Sequence, residues 1–207
     1  MWQQLQEELG PKGLTIIAVA IDSDEAAVQE WAATAPGLLV LIDRDFVVAE
    51  RYGIVNVPAT VWIDEGGRIV RPADTAMGDD RFRAFAHIDS AVHHDHLRNW
   101  VNENARDLDD AQVTQHMVLP SDDVQKARLH RRLGVLLHDR GDLEGAAEHL
   151  GAATALAPHD WVIRRGSMPM RGEDPFGPAF FAFVQEWNEA GAPGYTLQTG
   201  REGTIGI

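Results

Sequence analysis

The apolar run over residues 14–21 constrains the fold of this chain more than any other segment. Thr15 is its one polar residue, and the others are aliphatic, with several β-branched side chains. Such a run is typical of a strand that helices cover on both faces of a sheet. Residues 22–25 then offer a helix cap with acidic side chains, and a second apolar run follows at 38–42. The order strand, helix, strand predicts an α/β fold.

A hairpin pattern follows the second strand. Residues 59–64 form one arm, Glu65-Gly66-Gly67 forms the turn, and residues 68–70 form the other arm. A short helix over 46–52 is predicted to lead into the loop before this hairpin. Two further helices are predicted: one over 2–9, which Gly10-Pro11 ends, and one over 79–104, which would cover a face of the sheet.

Residues 52–70 resemble the proline loop and terminal hairpin of thioredoxin-like redoxins. The resemblance is to the TlpA/ResA branch and its AhpC/TSA relatives, and it extends from residue 1 to about residue 101. The motifs that carry it are Asp43-Arg44-Asp45, the segment 54–60, Trp62-Ile63-Asp64 and Gly66-Gly67-Arg68.

The resemblance implies a fold and a binding site. Residues 1–105 would form a thioredoxin-like sheet with flanking helices, and the bond before Pro58 would be cis. Asn56, Val57 and Pro58 would bind the substrate, with Val57 offering its backbone to an extended segment. The alternative for Pro58 is an ordinary trans-proline at the start of an edge strand.

This chain contains no cysteine and therefore lacks the residue that performs the family's redox chemistry. In that family a Cys-x-x-Cys pair or a single peroxidatic cysteine reacts as a thiolate. The resemblance places this motif, and the central strand before it, ahead of Met1. We therefore expect an N-terminally incomplete redoxin, which a misplaced start or a selenocysteine codon read as a stop would explain. The rival hypothesis is a redox-inactive thioredoxin fold that is kept for binding.

A sheet without its central strand would leave backbone groups unpaired and apolar faces exposed. We expect such a chain to be marginally stable or to borrow a strand in a homodimer. The implied family activity is thiol–disulfide exchange or peroxide reduction, but the chain alone is predicted to be inactive, and no catalytic residue is assigned. Its predicted partner is a protein thiol or disulfide. The alternative function is a non-catalytic module that binds another protein.

The character of the chain changes beyond residue 105. Residues 106–125 are predicted to form a linker, 126–190 a helical region and 191–207 a flexible tail. One tetratricopeptide-like repeat fits the spacing of Leu133, Gly134, Leu137, Gly141, Ala146, Leu150, Ala153 and Pro158. A single repeat cannot bury its own apolar faces. An aromatic helix predicted over 178–189 is one candidate for the cover.

Composition argues against several partners. The formal charge of −14 disfavours nucleic acid and anionic membranes, and no apolar run approaches the roughly 20 residues of a spanning helix. His87, His93, His94 and His96 are interpreted as a solvated helix face, with a metal shared by His93 and His96 as the alternative. No metal or other cofactor is predicted, and the compartment stays unassigned.

Overall fold

The fold is described for residues 1–21 and 24–202 from a computed structural model, and it is a mixed α/β arrangement of small sheets and flanking helices. Its strands are β1 (Ile17–Ala20), β2 (Leu39–Ile42), β3 (Ala59–Ile63) and β4 (Ile69–Thr75). Its α-helices are α1 (Trp2–Leu9), α2 (Glu25–Ala33), α3 (Val47–Arg51), α4 (Arg83–Ala86), α5 (Ser90–Glu103), α6 (Asp110–His116), α7 (Asp122–Asp139), α8 (Leu143–Leu156), α9 (Trp161–Arg164) and α10 (Pro178–Glu189).

The first sheet is the parallel pair β1–β2, which α2 connects. Ile17 lies opposite Leu39, and the pairing continues in register to the end of both strands. Asp24 caps α2 by accepting a hydrogen bond from the Ala27 amide at 3.0 Å, whereas Asp22 and Ser23 lie outside the described residues. The predicted strand, helix, strand order is confirmed.

The predicted cover of β1 on both faces is wrong. No residue of β1 is buried, and the Ile17 side chain is 50% exposed. The physical reason is that β2 is the sole strand paired with β1 in the described sheet, so the other edge of β1 borders open space.

The second sheet is the antiparallel hairpin β3–β4, as predicted. Asp64 holds the turn by accepting hydrogen bonds from the Gly66 and Arg68 amides, each at 2.9 Å. β4 continues to Thr75, beyond the predicted end at residue 70. The register shifts between the Thr60–Asp74 and Trp62–Arg71 pairs, where β4 contains Pro72, which has no amide to donate to a ladder.

The single helix predicted over 79–104 is wrong, because the chain forms a short 3₁₀ turn, α4 and then α5. His87 ends α4 in the left-handed region with φ 53°. Asp89 then caps α5 by accepting a hydrogen bond from the Ala91 amide at 3.0 Å. Asp80 accepts one from the Ser90 amide at 3.0 Å, which fixes the corner between the two helices.

The helices α7 and α8 form a hairpin with a turn at Gly141, whose φ of 82° suits glycine. The helices approach closely at Gly134, where an added Cβ would lie 2.8 Å from Cγ of Leu150. Ile163 of α9 covers this pair together with Ala127, Ala153 and Ala157. The predicted aromatic helix matches α10, but its buried side chains pack with Trp161 and Met168 instead of covering the pair.

The helical region lies against α3. The Arg131 guanidinium stacks on the Phe46 ring, Arg132 pairs with the Glu50 carboxylate, and Arg128 donates to the Glu50 carbonyl oxygen. Val162 of α9 joins Phe46 in a small core. The proline loop is therefore held between the hairpin β3–β4 and the helical region.

The segments predicted as linker and tail have structure of their own. The linker, 106–125, contains α6, where Asp109 and Gln112 form a reciprocal capping box. In the tail, 191–207, residues 201 and 88 form an isolated antiparallel bridge, and residues 203–207 lie outside the described part. None of the described helices is long and apolar enough to cross a bilayer.

Candidate functional site

A wide groove separates the two sheets. Its volume is about 1660 Å³, which exceeds the roughly 300–1,000 Å³ of a typical small-molecule pocket. Every residue of β1 and of β3 lines it, whereas β2 and β4 each contribute a single side chain, Leu41 and Val70. The groove therefore runs along the outer edge of β1 and the outer edge of β3.

The walls of the groove are apolar. Trp62, Val70 and Leu97 line it and belong to a buried cluster with Leu5 and Leu9, against which Trp2, Leu14, Ile16, Trp100 and Val101 pack. Val28, Trp31, Val48 and Ala49, from α2 and α3, also line the groove. The charged lining residues Lys12, Asp43, Asp64, Glu65, Arg68 and Arg106 all lie outside β1 and β3.

The proline loop forms part of the same groove. The Val57–Pro58 peptide bond is cis, as expected. Val57 and Pro58 both line the groove, and the Val57 side chain is 42% exposed. The Val57 amide donates to the Asn56 side-chain oxygen at 2.8 Å, and the Pro58 carbonyl accepts from the Ala76 amide at 3.2 Å.

Asn56, the third predicted binding residue, faces a different neighbour. The Tyr195 hydroxyl accepts hydrogen bonds from the Val55 and Asn56 amides, each at 3.0 Å, and donates to the Asn56 carbonyl at 2.6 Å. Burial raises the pKa of Tyr195 to about 12, so its hydroxyl stays protonated and can donate. The structure thus brings Val57 and Pro58 to the groove and ties Asn56 to the tail.

The proline loop is also fixed from the helical side. The Val55 carbonyl accepts hydrogen bonds from the Trp161 and Val162 amides, at 2.9 and 3.2 Å. These are amides of the first turn of α9, which have no partner within their own helix. The sequence analysis missed Tyr195 and these contacts, since no motif links residues so far apart in the chain.

The interpretation of the histidines as a solvated face is wrong for His93 and His94, which are 1% and 3% exposed. His93 hydrogen bonds with the Thr60 hydroxyl at 3.0 Å and packs edge-on against Trp2 and Trp62. Burial, together with the nearby Arg71 guanidinium, lowers the pKa of His93 to about 3. The ring is therefore neutral near pH 7 and acts as a core side chain. His93 is buried because α5 packs with this side chain toward the β3–β4 hairpin. The sequence analysis missed this, because it assumed one unbroken helix from residue 79.

A buried charge network lies behind the hairpin. Arg71 is 1% exposed, and it pairs with Asp74, at 3.4 Å, and with Asp107. Burial acts to raise the pKa of Asp107, but the hydrogen bond and charge of Arg71 outweigh it and lower that pKa. Thr199 accepts a hydrogen bond from Arg71, and its amide donates to Asp74 at 3.3 Å. The network thus joins β4, the segment before α6 and the tail.

Metal-binding geometry is absent from the described part of the chain, where no three histidine, aspartate or glutamate side chains cluster closely enough to hold an ion. His130 and His149 approach each other at 2.9 Å between their Nδ1 atoms, but they supply two ligands at most. Chemically, the groove offers apolar surface and backbone hydrogen-bonding groups.

The chain matches no protein-family model, no curated protein and no solved structure.

Proposed function

We propose that this protein is a thioredoxin-like redoxin of the TlpA/ResA or AhpC/TSA type with a tetratricopeptide-like helical extension. The family activity is thiol–disulfide exchange or peroxide reduction. In this proposal Val57 and Pro58 contact an extended, cysteine-bearing segment of a protein substrate, and Asn56 holds the loop. The 207 residues contain no thiol, so they bind the substrate without turning it over.

The order of elements around the loop is the observation that carries the proposal. A parallel strand, helix, strand unit is followed by α3, the proline loop, an antiparallel hairpin and the covering helix α5. This is the order that the resemblance implies for a redoxin after its redox motif. The loop lies where a substrate can reach it, because Val57 is exposed at the groove.

The loop geometry suits backbone recognition. The Val57 amide is already satisfied by Asn56, which holds the peptide plane in place. Among the described residues nothing donates to the Val57 carbonyl oxygen. That oxygen is available to the amide of an extended segment, as in strand addition.

The test measures binding of the reduced, carboxymethylated insulin B chain, an extended peptide that cannot react. We expect Val57→Glu to weaken its binding at least fivefold, because a charged side chain would occupy the approach to the loop. Leu129→Glu, on the exposed face of α7, is the matched control and should leave binding unchanged. Equal binding by the Val57 variant contradicts the proposal. If the protein clearly accelerates the reduction of insulin by dithiothreitol, the assignment of an inactive chain is contradicted.

A non-catalytic interaction module is the second candidate, and one observation favours it. Leu129, Leu133 and Leu136 are exposed at helical spacing along α7, with exposed fractions of 64, 40 and 44%. Leu143, at the start of α8, is also exposed. In this alternative the helical face grips a partner, and binding would depend on Leu129 and not on Val57.

A further inference from the structure

We propose that the exposed leucine row of α7, which consists of Leu129, Leu133 and Leu136, binds the same row of a second copy of this chain. The two helices would be antiparallel, and a two-fold axis would pass between Leu133 and Leu136. Such a dimer does not require that the protein be a redoxin. It gives the interaction module of the second candidate function a specific partner.

The leucine row has the spacing of a coiled-coil seam. Its members are four and then three residues apart, which is the alternation of a heptad repeat. All three are exposed, whereas Ala127, Arg131 and Gly134 on the inner side of α7 are buried. The row therefore faces away from the rest of the chain, where a second helix can pack along it.

A cation continues the leucine row at each end and indicates the orientation of the partner helix. Lys126 lies three residues before Leu129, and Arg140 lies four residues after Leu136. In a parallel dimer each cation would face its own copy across the seam, and the like charges would repel. In an antiparallel dimer Arg140 faces Leu129 of the other copy, where its aliphatic stem can cover the leucine.

Opposite charges also meet beside the leucine row in the antiparallel arrangement. Arg132 and Asp139 are exposed and lie seven residues apart, on the same flank of the row. The two-fold axis brings Arg132 of each copy next to Asp139 of the other, so the ion pair forms twice. Arg132 also pairs with Glu50 of its own chain, but a guanidinium has five N–H donors and can bind two carboxylates.

The exposed face of α7 is balanced in charge, although the whole chain is not. The formal charge of −14 opposes self-association in general. Within 122–140, however, the exposed charged residues are three acidic and three basic, namely Asp122, Asp123, Asp139, Lys126, Arg132 and Arg140. Two copies can therefore approach through this face with less repulsion than through the acidic remainder of the surface.

Disulfide cross-linking tests the orientation directly, because the chain has no cysteine of its own. An equal mixture of Leu129→Cys and Arg140→Cys should form a mixed disulfide dimer on mild oxidation, since these positions face each other across the seam. Either variant alone should cross-link far less, because its two copies would lie about 16 Å apart along the helix axis, at about 1.5 Å per residue.

Sedimentation velocity over a concentration series measures the dimer without a cross-link. The wild type should dimerise reversibly, because a contact one helix wide is small for an obligate interface. Leu133→Glu should raise the dissociation constant at least tenfold, because it places two carboxylates in the middle of the seam. Leu39→Glu, which changes an exposed leucine of β2, is the matched control and should leave the constant unchanged.

Three results would overturn the proposal. The first is a wild-type chain that stays monomeric at every concentration. The second is cross-linking of Leu129→Cys alone as fast as in the mixture, which would mean a parallel or unspecific contact. The third is a dimer that Leu133→Glu leaves intact, which would place the interface on another part of the surface.

Discussion

The contact between α7 and α8 and the β1–β2 pair both bring small or aliphatic residues together, yet the inner side of the helix contact is buried and the strand pair is not. In the hairpin, Leu150 has no exposed surface and Gly134 lets the helices touch. In the strand pair, Ile17, Leu39, Leu41 and Ile42 are all exposed. The difference shows that aliphatic composition alone does not create a core. Aliphatic side chains are buried only where another element packs against them. In the described sheets, no strand pairs with the outer edge of β1.

A leucine-to-alanine substitution in each region should give the largest difference in the free energy of unfolding. Leu150→Ala should lower the free energy of unfolding by about 2–5 kcal/mol, because it leaves a cavity between two helices. Leu39→Ala should cost less than about 1 kcal/mol, because that side chain is 52% exposed. Urea unfolding followed by circular dichroism measures both. Equal losses would mean that the strand pair is packed as tightly as the hairpin.

Glycine-to-alanine changes sharpen the account of the hairpin itself. Gly134→Ala should destabilise the protein by about 1–3 kcal/mol, because the new methyl meets Leu150. Gly151→Ala, in α8 with open space around it, should instead stabilise it by up to about 1 kcal/mol through helix propensity. Thermal unfolding measures both variants, and the unfolding temperature should fall for Gly134→Ala and rise for Gly151→Ala. Stabilisation by both changes would show that the helices are further apart.

The buried His93 makes the packing of α5 on the β3–β4 hairpin sensitive to acid, whereas the α7–α8 hairpin should be less sensitive. Its pKa is about 3 in the folded chain against 6.5 for an ordinary histidine, so unfolding lets the ring take up a proton. This contribution to stability is complete above pH 6.5 and is lost as the pH falls toward 3. It amounts to about 2 kcal/mol between pH 6.5 and pH 5.

Urea unfolding of the wild type and of His93→Gln over this pH range tests that contribution. The variant should lose less stability on acidification than the wild type. His138→Gln, on α7, is the control and should follow the wild type. A wild-type slope retained in His93→Gln would assign the acid sensitivity to another group.

The Tyr195 contact should have a modest effect on stability, because it fixes one loop. Tyr195→Phe removes one hydroxyl and three hydrogen bonds, and it should lower the free energy of unfolding by about 1 kcal/mol. Exchange of the Val55 and Asn56 amides should become faster. Unchanged exchange at these two amides would show that the tail does not hold the proline loop.

The sequence predicted the local elements better than their environment. Apolar runs, turn residues and helix caps in the sequence located α1, β1, α2, β2, the β3–β4 hairpin and α10. Each of these signals lies within a few neighbouring residues. The corner at His87 was missed because a left-handed histidine leaves no pattern in the sequence. The burial of His93 and the Arg71 network depend on residues far apart in the chain, such as Asp107 and Thr199.

The candidate site was predicted in part for the same reason. The proline loop has a motif, so Val57 and Pro58 could be assigned from residues 52–70. The groove has no sequence motif, because its two edges come from residues 17–20 and 59–63, which are far apart in the chain. Its width depends on the absence of a described strand between β1 and β3. The role of Asn56 changed once Tyr195 was seen beside it.

Residue-resolved amide hydrogen exchange on the chain alone tests the central claim most directly. The account predicts that alternate amides of β1 and β3, those that point into the groove, exchange almost as fast as in an unfolded peptide. Their neighbours, paired with β2 and β4, should exchange slowly, as should the interior amides of α7 and α8. Uniformly slow exchange along both strands, with nothing added, would contradict the account, because it would mean that the two edges are already paired.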